Sequence, residues 1–307
     1  MCRRSRLAVS IDTNKGSYEM RNIANGFIRV RALLATAIRA AGFLALTLCG
    51  AAYAGEPADI FRNAASDSTQ NIDHSAWDRL LQTYVKPDGD GLNRVDYAAF
   101  KSGGQTELKQ YIARLEAVDP RTLDRAEQFA FLANLYNAKT IDIVLDRYPV
   151  KSIKDISLGG GLIAVFTGGP WKAKVLKVKG VEFSLDDIEH AVLRPLFKDP
   201  RAHYAVNCAS VGCPNLQRQA FTGARLDAQL DAAARAYVNN PRGASFVSGK
   251  LVVSSIYEWF KEDFGGADQG VLAHLRKYAA PELKAKLEGV KAIGDHRYDW
   301  SLNDFRR

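Results

Sequence analysis

The chain reads as one α+β domain, mostly helical with a small antiparallel or mixed sheet, and three observations lead there. Apolar residues recur at helical spacing over several long segments. A hairpin signal, WKAKVLKVKG followed by VEFSL, brackets Gly180. A short run from Tyr204 to Asn207 between turn-forming residues reads as a further strand of the same sheet. With 47% hydrophobic and 25% charged residues, the 307-residue chain is composed like a folded protein and not like a disordered, collagenous or polytopic one.

The formal charge of +8 first suggests a nucleic-acid or anionic-membrane partner. Its location argues otherwise. Arg21, Arg29, Arg31 and Arg39 precede the apolar run AAGFLALTLCGAA and the small-residue triplet Ala52-Tyr53-Ala54. This pattern predicts a signal peptide over 1–54, cut after Ala54, and a periplasmic or secreted protein. The uncharged stretch Ala40 to Ala54 is shorter than the roughly 20 residues a bilayer span needs, so no stable membrane span is expected after cleavage. Met20 offers a second start, and the bulky Leu48 before Cys49 argues against a lipid anchor. Without the leader the chain keeps 34 basic and 32 acidic residues. A net charge of +2 leaves no reason to expect nucleic acid, and the expected partner is a small-molecule or peptide ligand.

Residues 55–75 are polar and read as a flexible linker, with the domain occupying 76–307 from about Trp77. Trp77, Leu80, Leu81 and Tyr84 mark a first helix, and KPDGDGLN breaks it. The Asp-rich loop lacks the further ligands of a calcium site and is read as a plain loop. From Asp124 to Tyr148, Phe129, Leu132, Tyr136, Ile143 and Val144 define the central helix, with Pro149 as its stop. Asn134 and Asn137, three apart, share a face of it. Buried amides need partners, so they are either satisfied locally or orient a polar site.

The glycine pairs of SLGGGLIAVFTGGP match no phosphate-binding pattern and read as a mobile loop leading into the hairpin. Lys172, Lys174, Lys177 and Lys179 read as edge-strand charges. In SLDDIEHAVLRP, Ser184 and Asp187 resemble a capping box. Asp186, His190 and Arg194 are four apart and line one face of the short helix, while Glu189 points about 100° away from His190 unless the turn is distorted. In DPRAHYAVNCASVGCP, His203 and Asn207 face the same way on a strand that ends at Cys208. The remainder reads as helices: a capping box at Ser255 and Glu258, a stop at Gly265-Gly266, a helix carrying Val271, Leu272, Leu275 and Tyr278, and another from Pro281. His274 reads as a surface or flanking histidine, and Asp299-Trp300 as a pair able to fold back on the polar site.

Several of these runs in order, YNAKTIDIVLDRYPVKSI, then SLDDIEHAVLRPLFKDPRAHYAVNCASVGCPNL, then SSIYEWFKEDF and YDWSLN, resemble the family called domain of unknown function 547. The resemblance extends from about Trp77 to the C-terminus. The matching residues are Asn134, Tyr136, Asn137, Glu189, His190, His203, Asn207, Cys208, Cys213, Asp299 and Trp300. The resemblance implies a site and no particular activity.

Cys208 and Cys213 admit three readings. A disulfide would close a small Cys-x4-Cys ring, in keeping with an oxidising compartment. Alternatively Cys208 is the nucleophile of a thiol-dependent hydrolase or acyl transferase. His190 would then be its base, Asp186 or Glu189 would orient the imidazole, and Asn207 or Asn137 would serve the oxyanion. Asn134, Tyr136, Asn137, His203 and Asp299 would bind the ligand. On this reading His203 stands about 16 Å from Cys208 along the strand. A metal site from His190, His203, Cys208 and Cys213 has the wrong spacing for zinc, so neither metal nor cofactor is expected. The competing class is a non-catalytic binding module whose disulfide pins a recognition loop.

Overall fold

Asp124 caps the helix around which the domain is assembled, its carboxylate accepting from Glu127 N at 2.7 Å. In the computed structural model, which describes residues 56–158 and 170–305, this helix runs Arg125–Arg147 and stops just before Pro149. The leader read over 1–54 and the glycine loop at 159–169 lie outside the described residues. Every residue from Glu127 to Ala138 is buried, so the helix is wrapped on all sides. Helices Ser75–Tyr84, Tyr97–Gly103 and Gln105–Ala117 lie on one flank, and the segment 223–238 on another.

Because the helix is enclosed, its polar side chains gain by finding partners inside the fold, and all but a few, Thr140 Oγ1 among the exceptions, do so. Glu127 accepts from Ile72 N at 2.9 Å and from Gly223 N at 2.6 Å. A Cβ on Gly223 would stand 2.7 Å from that carboxylate, which explains glycine there. Asn134 bonds both backbone groups of Phe221, at 2.8 and 3.0 Å. Asn137 donates to Ala205 O and accepts from Asn207 N, both at 2.8 Å. Three side chains of one helix thus fix loops that are distant in sequence.

The linker expected at 55–75 is corrected over its described part. Asp59–Arg62 is a helical turn whose Phe61 is buried against Phe131 and Phe183, with ring centroids 6.0 Å away in each case. Arg125 ties it down by donating to Phe61 O at 2.7 Å. The Asp-rich loop joins a small hairpin, Val85–Pro87 with Asn93–Val95, and Arg94 bridges Asp88 and Asp90.

The hairpin around Gly180 forms from Leu176–Val178 and Val181–Phe183. Its two-residue turn has φ of 49° at Lys179 and 86° at Gly180, the left-handed pair that such a turn requires. The strand expected over Tyr204 to Asn207 is not one. Ala202–Ala205 is a helical turn with all four side chains buried, an environment without the alternation a half-buried strand needs.

The C-terminal part contains more than helices. Ala244–Val247 and Lys250–Ser254 pair antiparallel across Ser248-Gly249, and Asp295–Arg297 adds in parallel, giving a mixed three-stranded sheet. Helices Asp268–Tyr278 and Pro281–Leu287 form where periodicity and Pro281 place them. The expected capping box at Ser255 is absent: its hydroxyl pairs with His296 Nδ1 at 3.0 Å, and Ile256 N bonds Ser254 instead. Among the described residues no helix is long and apolar enough to cross a membrane.

Asn134→Ala is expected to destabilise the domain by about 2 kcal/mol, because the N–H and C=O of Phe221 lose their buried partner. Urea unfolding of the purified variant measures it, and a change below a few tenths would remove the helix amide from the account of the fold.

Candidate active site

Cys208 stands where the loop from the central helix meets the C-terminal tail. Asn137 holds the backbone at 205 and 207. Asn207 then accepts from Ala209 N at 2.9 Å and donates to Pro214 O at 2.6 Å, closing the loop on itself. Ala209, the residue after Cys208, adopts φ of +60°, a costly conformation for a residue with a Cβ. Further on, Tyr237 and Arg242 donate to the carbonyls of Gly212 and Val211.

The tail grips the loop from the other side. Gly212 N donates to Asp299 O and Val211 N to Ser301 O, each at 2.8 Å, and Asn303 N donates to Ala209 O at 3.1 Å. A Cβ on Gly212 would meet Asp299 N at 2.8 Å, so only glycine lets the strands approach. This brings Tyr298, the first residue of the YDWSLN run but not among the candidate site residues, within 3.1 Å of the Cys208 sulfur.

Cys208 and Cys213 are free thiols with sulfurs 3.0 Å apart, not the disulfide that their spacing allowed. Cys208 is half-buried, and Cys213 is buried behind it. The Cys213 thiol donates to the Cys208 sulfur, and the hydroxyls of Tyr298 and Ser210 lie 3.1 and 3.2 Å from it. Hydrogen bonding from Cys213 is the main influence lowering the pKa of Cys208, aided by the hydroxyls against the opposing effect of burial. Burial pushes Cys213 well up, so it keeps its proton.

Cys208 opens on a cavity of about 230 Å³ that His190, Glu189, Asp186, His203 and Tyr136 also line. The segment Asp187–Leu193 is a π-helix, with the wider turn that such insertions bring to functional sites. The capping pair forms as read, Ser184 N donating to Asp187 and Asp187 N to Ser184 Oγ. The separation of about 100° expected for Glu189 and His190 on a regular helix gives way, and both side chains reach the cavity.

Their roles differ. His203 places Nε2 2.7 Å from Asp263 and Nδ1 3.4 Å from Glu189, and its ring stacks on Phe260 at 4.4 Å. Burial disfavours its charge, but hydrogen bonds to Asp263 and Glu189 prevail and raise its pKa. Both nitrogens therefore donate, and His203 is neither a free base nor a free metal ligand. Arg194 forks onto Asp263, at 2.5 and 3.2 Å, and donates to His190 Nδ1 at 3.3 Å. A guanidinium can only donate, so the proton of neutral His190 sits on Nε2, which is 3.6 Å from Asp186. His190 thus presents an N–H, not the lone pair expected of a base, and no imidazole bonds the Cys208 thiol among the described residues.

Asn137 and Asn207 are buried and committed to backbone, unlike the oxyanion donors foreseen for them, and Asn134 holds Phe221. Asp299 caps its own turn by accepting from Ser301 N at 2.8 Å and does not line the cavity. Trp300 does, and with Trp171 and Trp259 it brings three of the four tryptophans to one rim, with Trp300 5.8 and 5.7 Å from the other two. The Tyr136 hydroxyl makes no hydrogen bond among the described residues, although its side chain is buried at the cavity. His274 is not a surface residue: it bonds Tyr204 OH at 2.8 Å, and burial lowers its pKa to about 4. Among the described residues no cluster of three His, Cys, Asp or Glu is placed to hold a metal ion.

A thiol-lined cavity on an α+β scaffold is the class that fold and site define. Residues 120–238 match the model of the family described as Protein of unknown function, DUF547. That span includes the central helix, the π-helix and both cysteines, while Trp259, Asp263, Tyr298 and Trp300 lie beyond it. No curated protein and no solved structure matches the chain.

The charges around His203 set a pH window. The raised value of His203 contributes stability that is full below 6.5 and lost as pH rises through it. Glu189, where burial is outweighed by His203 and its neighbours, and Asp263, where the His203 bond leads, are both lowered. They contribute above 4.5 and 3.8, and that share is lost as pH falls through their lowered values. The stability margin of the wild type over His203→Gln is therefore expected to peak between 4.5 and 6.5, by thermal melts across pH. A margin that grows on the alkaline side contradicts a charged His203.

Proposed function

We propose that the protein is a thiol-dependent hydrolase or acyl transferase acting on a small acyl or peptide substrate, with Cys208 as nucleophile. The observation that carries this reading is the Cys208 sulfur at the cavity wall, receiving hydrogen bonds from Cys213 and facing hydroxyls at 3.1 and 3.2 Å. These donors favour the thiolate without an imidazole partner. The thiolate attacks the acyl carbon, a C–S bond forms, and the leaving group departs with a proton from solvent. His190 Nε2–H and the Tyr136 hydroxyl face the cavity as donors for the developing oxyanion. Water then attacks the thioester, giving its proton to Asp186 as the C–S bond breaks and the thiolate returns. The tryptophan rim suits an apolar or planar part of the substrate.

Turnover of a panel of aryl esters and peptide thioesters tests the assignment. Cys208→Ala is expected to abolish it, and His190→Ala to lower it by roughly 10²–10³-fold, as loss of an oxyanion donor does. Asp186→Asn is expected to accumulate a thioester on Cys208, visible by mass spectrometry. Hydrolysis that persists in Cys208→Ala overturns the reading.

We further propose that the protein is exported and acts in the periplasm or outside the cell. The Arg-flanked apolar run ending at Ala52-Tyr53-Ala54 supports this. N-terminal sequencing of protein recovered from the exported fraction is expected to begin at Gly55, and recovery only of an intact chain in the cytoplasm would exclude export.

A further inference from the structure

The two sulfurs invite a chemistry that acyl transfer does not use. Cys208 and Cys213 are 3.0 Å apart, and a disulfide bond is about 2.05 Å long, so bonding requires the sulfurs to approach by only about 1 Å. The environments of the pair are unequal. Both line the cavity, but Cys208 is half-buried whereas Cys213 is only 4% exposed. An incoming reagent therefore meets Cys208 first. Burial holds the proton on Cys213, and Cys208 N, donating to its sulfur at 3.0 Å, offsets part of that cost when the thiolate must form for the second step.

We propose that Cys208 and Cys213 are a nucleophile and resolver pair that performs thiol–disulfide exchange, so that the cavity takes low-molecular-weight or peptide disulfides as a second substrate class. In the first step the Cys208 thiolate attacks one sulfur of the disulfide. A Cys208 mixed disulfide forms and one thiolate leaves, taking a proton from solvent. In the second step Cys213 loses its proton and attacks the Cys208 sulfur, giving the Cys208–Cys213 disulfide and releasing the second thiol. The substrate disulfide is reduced to two thiols, and the two protein thiols are oxidised by the same two electrons. The oxidised pair has no free Cys208 thiolate, so acyl transfer at the site stops until a dithiol reductant restores it. Exchange does not rest on the acyl-transfer reading, since it needs only the two sulfurs and access to one of them.

The test uses the reduced full chain, glutathione disulfide as the probe, acid quenching and peptide mapping, which separates the pair from Cys2 and Cys49. Wild type is expected to end as the Cys208–Cys213 disulfide, with two glutathione released per chain. Cys213→Ser and Cys213→Ala are both expected to stop at one glutathione bound to Cys208. Cys208→Ser is expected to react at Cys213 at least about 100-fold more slowly, as a buried protonated thiol should. A stable glutathione adduct on wild-type Cys208 beside a free Cys213, first modification at Cys213, or no reaction at either overturns the proposal. Exchange without ester or thioester turnover would sink only the acyl-transfer reading, and turnover without exchange only this one.

Discussion

In an enclosed helix each unpaired polar side chain is strongly destabilising, and the pairing of three of them organises the domain, although Thr140 Oγ1 stays without a partner among the described residues. Glu127, Asn134 and Asn137 all lie in the buried part of Arg125–Arg147, where an unbonded amide or carboxylate would cost several kcal/mol. Each is paired with loop backbone, and Asn134 also meets the buried His74 ring at 3.3 Å. The loops at 72, 221–223 and 205–207 are consequently fixed to one rigid element. The last of them leads directly into Cys208, so the position of the thiol follows from the hydrogen-bonding needs of a helix at the far side of the sequence.

The same constraint explains why the C-terminal tail belongs to the site. The loop 209–213 has backbone groups that neither the central helix nor its own turn can reach. The tail satisfies them, with Asp299, Ser301 and Asn303 bonding Gly212, Val211 and Ala209 in turn. Tyr298 and Trp300 arrive at the cavity as a result of this pairing. One supplies a hydroxyl to the thiol, and the other completes the aromatic rim.

How much of this was legible in the sequence depends on the range of the interaction. The central helix was readable because its signals are local: an Asp cap, apolar spacing and Pro149. The gathering of Cys208, His190, Glu189 and Asp186 was readable as residue types in excess of what packing needs, though not their roles. Those are set by Arg194 and Asp263, and Asp263 stands sixty positions from His203, its partner. The π-helix has no periodic signature in seven residues, so Glu189 was sent to the wrong side. The sheet at 244–254 is absent from the helical reading of the remainder, although its Ser248-Gly249 turn, with both φ positive, separates two short runs. Tyr298 lies in the YDWSLN run, but its role at the thiol was not legible, because only the folded tail brings it to residue 208.

The charge balance explains why hydroxyls and a thiol surround Cys208 where a histidine was expected. Glu189 and Asp263 are two carboxylates, and His203 and Arg194 are the two cations that answer them. Removing His203 from that set to pair with the thiol would leave a buried carboxylate uncompensated, a larger loss than the gain at sulfur. The imidazole that remains, His190, has its lone pair capped by Arg194 and can offer only a proton. Neutral donors are what is left to stabilise the thiolate. They lower its basicity less than an adjacent cation would, and since nucleophilicity falls with basicity, the sulfur retains more reactivity per ionised thiol. A site built in this way favours attack by sulfur over storage of charge, which is the property that both acyl transfer and disulfide exchange require.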